Sequence, residues 1–93
     1  MDDPELLRAY VENRSERAFA ILVERYAGLV YSAAVRQLGE DAHLAKDVMQ
    51  GVFSDLARKA NSLRGRSVLT GWLYTSTHFA VAQTRRTEGR RRR

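Results

Sequence analysis

The chain contains no cysteine. That excludes a disulfide framework and any thiolate metal site, and it fits a reducing compartment. The one proline, Pro4, stands near the start, so everything after it is free to be helical. The two histidines, His43 and His78, lie far apart with no partner at metal-ligand spacing. No apolar run approaches the roughly 18 residues of a membrane span. The opening Met1-Asp2-Asp3-Pro4-Glu5 is acidic and lacks a signal-peptide layout. There is no Ser/His/Asp or Cys/His set and no G-x-x-x-x-G-K-S phosphate loop. The expectation is a cytoplasmic protein that is not an enzyme and holds no metal and no cofactor.

Acidic residues are also scarce in one place. From Arg58 to Arg93 there are ten Lys or Arg and one acid, Glu88, whereas Met1 to Ala57 carries six basic residues and ten acids. The halves therefore hold net charges of −4 and +9. Such a split points to one surface for a polyanion and another for a different partner. A hydrophobic share of 44% beside a charged share of 29% is ordinary for a soluble globular chain, and 93 residues suffice for one domain with a small core.

Apolar residues recur at helical spacing, and strand-like alternation is nowhere sustained. A short first helix is predicted from Pro4 to Val11, capped by Asp3, with Leu6, Leu7, Tyr10 and Val11 on one face. Ser15 caps a longer second helix whose stripe is Phe19, Leu22, Val23, Tyr26, Leu29, Val30, Ala33, Ala34 and Leu38, ended by Gly39. Asp41 caps a third, with Leu44, Ala45, Val48, Met49, Val52, Phe53, Leu56 and Ala60 inward. Asn61 to Gly65 reads as a basic loop. Ser67 or Thr70 then caps a last helix with Leu69, Trp72, Leu73, Ser76, Phe79 and Ala80 on its buried face. Four helices with short links imply an all-α bundle.

The order of features resembles a known family. After the acidic start and stripe helix come Gly39-Glu40-Asp41-Ala42 and Asp47-Val48-Met49-Gln50-Gly51-Val52-Phe53. Leu63-Arg64-Gly65 follows, then Thr70-Gly71-Trp72-Leu73-Tyr74, then the arginine-rich end. This is similar to region 2 of bacterial sigma factors of the extracytoplasmic-function group, with its D-L-x-Q-E-x-F, F-R-G and T-W-L-Y segments. The likeness covers nearly the whole chain. Departures are Val48 for Leu, Gly51 for Glu, Ala57 for Trp, Leu63 for Phe, Gly71 for Thr and Phe79 for Asn.

The resemblance implies a domain that binds core RNA polymerase and recognises and melts the −10 promoter element. Asp47, Gln50 and Ser54 would meet a coiled coil of the polymerase's largest subunit; at i, i+3 and i+7 they share a helix face. Arg64, Arg66, Arg85 and Arg86 would neutralise promoter phosphates. The loop from Ser62 to Leu69, Ser67 included, would capture a flipped base. Trp72 is either core, as a Trp on an apolar face usually is, or the edge that meets the separating strands. Ser76 and Phe79 would face the duplex end, although Phe79 also suits the core. Residues 1–88 would form the domain and 89–93 the start of a basic linker toward a second DNA-binding domain, absent here. An anti-sigma protein is a possible further partner; a membrane is not expected. Two other classes fit less well: a helix-turn-helix repressor, and a basic helical module for RNA or anionic membrane.

Overall fold

A computed structural model describes residues 1–39, 41–65 and 68–91, with side chains through Gly89. The described residues form four α-helices and no strand: α1 (Asp3–Asn13), α2 (Glu16–Gln37), α3 (Ala42–Leu63) and α4 (Thr70–Arg91). The all-α bundle is as expected.

Helix α1 starts one residue earlier than its sequence suggests. Asp2, not Asp3, is the cap. Its carboxylate accepts from the Glu5 N–H at 2.9 Å, and Glu5 accepts from the Asp2 N–H at 3.3 Å. This reciprocal box satisfies two orphan donors at once, which a cap at Asp3 could not do. Asp3 is left free for another task. It accepts from Arg25 at 2.7 Å and from the Tyr26 hydroxyl, fastening α1 to α2. Burial first, and the Asp3 carboxylate second, push the Tyr26 phenol up to about 12. At the other end Arg14 turns the chain in the left-handed region, φ 54°, so two residues suffice to reverse direction into α2.

Ser15 caps α2 by accepting from Ala18 N–H at 3.1 Å, and Asp41 caps α3 by accepting from Leu44 N–H at 3.1 Å, both as the sequence indicates. Gly39, at φ 66°, ends the α2 segment in the conformation glycine tolerates best. Helices α2 and α3 form the centre of the bundle: each packs against the other three. Leu22, Val30, Ala33 and Ala34 are buried along α2. By length and mean hydropathy, 1.4 over an 18-residue window, α2 would also pass as a membrane-crossing helix. That corrects the expectation that no stretch does. Glu24 and Arg25 lie mid-helix, and one face is spent on protein neighbours, as in the core helix of a bundle.

Helix α3 runs three residues past Ala60, through the segment expected to be loop. Leu63 explains this. It continues the 56, 60, 63 spacing and is buried, and the gain from burying a leucine outweighs the weak helix preference of Asn61 and Ser62. The Ser62 hydroxyl donates to the Lys59 carbonyl at 2.8 Å.

The buried face of α4 is the larger correction. Leu69, Leu73, Thr77 and Val81 are the buried positions, while Phe79 is 66% exposed. Thr77 was hidden from a purely apolar reading by its hydroxyl, which donates to the Leu73 carbonyl at 2.7 Å and so enters the core satisfied. With Thr77 inside, Phe79 lies about 160° round the helix from it. Trp72 is half-buried and packs against the core. Thr70 is the first helical residue rather than the cap: the Leu69 carbonyl takes the first bond, from Leu73 N–H at 3.0 Å. Ser67, the other candidate cap, lies outside the described residues.

Candidate functional site

The residues singled out from the sequence fall on α3, on the link after it and on α4. Asp47, Gln50 and Ser54 are all exposed and form a polar ridge along α3. A groove runs on each side. Toward α2 the floor is apolar, made by Phe19, Val23, Met49, Phe53 and Ala57, with Gln50 and Ser54 on the rim. Toward α4 the walls are mixed: Asp47, Ser54, Lys59 and the ion-paired Asp55 and Arg58, with Val48 between them, face Ser76, Phe79, Ala80 and Gln83. Ser54 borders both grooves. A polar ridge flanked by accessible apolar side chains is the layout of a protein-docking surface.

Gly51 lies on this exposed side of α3, and a Cβ added there would meet nothing within 4 Å. No packing constraint accounts for the glycine.

The basic residues do not form one cluster. Arg64, just past α3, is ion-paired with Glu12 of α1 at 3.2 Å. Arg66 and Ser67 lie outside the described residues. Arg85 and Arg86 are exposed on the last turns of α4, and Arg86 donates to the Gln83 side chain at 2.7 Å. The helix continues through Gly89 to Arg91, so the backbone of residues 89–91 is helical.

The structure brings Ser76 and Phe79 to the same groove as Asp47 and Ser54. It leaves Arg64 at the α1 side, and it divides Trp72 between core and surface. Sequence reading missed Arg58, Lys59 and Gln83. The signal for Gln83 was its spacing: 76, 79 and 83 are i, i+3 and i+7. It also missed the exposure of Tyr74 and the contact of His78 Nδ1 with Gln37 of α2 at 3.3 Å.

Residues 22–91, which take in most of α2 and all of α3 and α4, match the family model of sigma-70 region 2. The chain belongs to that family. Comparisons with curated proteins and with solved structures each give no significant match.

Sigma-70 region 2 is a non-enzymatic transcription-initiation domain that binds core RNA polymerase and promoter DNA and takes part in promoter melting. The matched span contains both grooves' α3 and α4 walls, and α1 lies before it. Nothing in this work is covalent. Its physical needs are a protein-docking face, cations for phosphates, and surfaces that hold an unpaired base.

Proposed function

We propose that this chain is the region 2 domain of a sigma factor of the extracytoplasmic-function type, and that it opens the −10 promoter element while bound to core RNA polymerase in the cytoplasm. The observation that carries the reading is the exposed ridge of Asp47, Gln50 and Ser54 on α3, one groove away from Ser76 and Phe79 on α4. A protein-docking face and a DNA-facing helix so placed let one small domain hold polymerase and promoter together.

In this reading the ridge seats on the coiled coil of the polymerase's largest subunit. Arg64, Arg66, Arg85 and Arg86 neutralise phosphates, a contribution that is independent of sequence and weakens with salt. Extruding a base costs a few kcal/mol. Stacking and pocket contacts recover about 1–3 kcal/mol per base, so capture by the Ser62 to Leu69 segment, whose first two residues end α3, offsets the opening. Trp72 keeps part of its ring in the core and offers the rest to the separating strands.

The test is a comparison of two DNAs. The chain should bind the non-template single strand of a −10-type element in preference to the same sequence as intact duplex. Tight, site-specific binding to intact duplex would instead make it a repressor-type domain. Binding to anionic vesicles in place of DNA would point to a membrane-surface module.

A further inference from the structure

Arg14 closes α1 with φ 54° and ψ 37°, the left-handed conformation. Among the described residues it alone, glycines aside, has a positive φ. Helices that end this way end mostly on glycine, sometimes on asparagine, because a Cβ is crowded there. A turn alone would be better made by glycine, and the arginine side chain recovers nothing from the fold. It is exposed, and among the described residues no hydrogen bond or ion pair holds its guanidinium. Arg58 and Arg64, by contrast, are tied to Asp55 and Glu12. Arg14 borders an open groove of about 380 Å³ where α1, α2 and α3 meet. Tyr10, Ala57 and Ala60 supply its apolar lining, and Asn61, Arg58 and Glu16 add polar groups. Glu12, two residues before Arg14, reaches Arg64 at 3.2 Å, so Arg64 lies at this same end of the bundle.

Each cation here is blunted by an acid, Arg64 by Glu12 and the groove by Glu16. A lone phosphate therefore finds little net attraction. A strand that spans both arginines gains at each and releases a counterion at each. We propose that single-stranded DNA held at Arg64 continues across the α1–α2 turn, with Arg14 contacting the phosphates beyond. The Asn61 amide, three residues before Arg64, donates to the same backbone. Arg14 precedes residues 22–91, the span matched to the family, so this contact widens the DNA surface beyond α4 and the end of α3. It rests on the reading that Arg64 faces promoter DNA, and it adds the path that the strand takes from there.

The experiment uses the 93-residue chain and fluorescent single strands read by anisotropy. One strand is the non-template −10-type element alone; the others are the same element lengthened by half at its 5′ or its 3′ end. Arg14→Gly should weaken binding to one of the lengthened strands roughly fourfold at physiological salt, and lower its slope of log affinity against log salt by ~0.7. Binding to the short element should not change. Glycine adopts φ 54° without a Cβ, so this variant should melt no lower than wild type. Arg8→Gln removes the same charge from an exposed position on α1 outside the groove lining and should leave every affinity as it was. Equal losses for Arg8→Gln and Arg14→Gly would reduce the effect to net charge and overturn the contact. So would a loss as large on the short element as on the lengthened strands. If Arg64→Ala weakens every strand and Arg14→Gly weakens none, the contact falls alone. If wild type binds none of the strands, the promoter reading falls and the contact with it.

Discussion

The Arg64 guanidinium lies 3.2 Å from the Glu12 carboxylate, joining the end of α3 to α1 across 52 residues of sequence. Both side chains are about half exposed, so the pair contributes ~0–1 kcal/mol to stability. A phosphate competes with Glu12 for the same cation. Glu12→Gln should therefore leave the melting temperature nearly unchanged and strengthen single-stranded DNA binding. Arg64→Ala should weaken it and lower the slope of log affinity against log salt by ~0.7. Titrations at several salt concentrations check both; an unchanged slope for Arg64→Ala would remove this residue from the DNA surface.

Gly51→Ala should stabilise the fold. Gly51 is exposed in the interior of α3, and an added methyl meets nothing within 4 Å. Replacing glycine by alanine in a helix interior gains ~1 kcal/mol. Urea denaturation should show a higher midpoint with an unchanged slope. A lower midpoint would mean that the glycine has a structural use the packing does not reveal.

Asp3 fastens α1 to α2 through Arg25 and Tyr26, so Asp3→Ala should cost about 1.5–3 kcal/mol, the range for hydrogen bonds to a charged group. Burial of the Tyr26 phenol, with the Asp3 contact second, makes stability pH-dependent at the alkaline end. The Tyr26 phenol is raised from 10.0 to about 12 in the fold. The folded state thus holds the proton more tightly than the unfolded one. Its contribution is complete below pH 10 and is lost as pH rises toward 12. Denaturation midpoints of wild type should fall across that window more steeply than those of Tyr26→Phe. Parallel curves would contradict the assignment.

The two faces of α4 should respond oppositely to truncation. Leu73 is fully buried, and Leu73→Ala should cost ~2–5 kcal/mol. Phe79→Ala should lie within ~0.5 kcal/mol of wild type, as surface changes do. Thermal unfolding separates these outcomes, and a large loss for Phe79→Ala would return that ring to the core.

Much of this was legible in the residues themselves. The caps at Ser15 and Asp41, the stripe of α2 and the inward set of α3 follow from side-chain chemistry and a 3.6-residue period, which act locally. The exceptions share a cause. Asp2 and Asp3 are equivalent as caps until Glu5, Arg25 and Tyr26 assign them different partners, and two of those partners come from another helix. Thr77 looks polar in sequence and is core in space because its hydroxyl bonds within its own helix. With Thr77 misplaced, the face of α4 rotates, and Phe79 falls on the wrong side. On α3 the ridge of Asp47, Gln50 and Ser54 was legible as a shared face. The groove opposite it was not, since Gln83 and Lys59 carry no local pattern that brings them together.

The most direct test of the central claim is retention of the chain by immobilised core RNA polymerase, comparing wild type with the double variant Asp47→Ala plus Gln50→Ala. Both side chains are exposed, so the variant should fold as wild type does. If the α3 ridge is the docking face, wild type is retained and the variant binds at least ~10-fold more weakly, as truncation at the centre of an interface does. Equal retention of the two would contradict the assignment of this ridge to the polymerase.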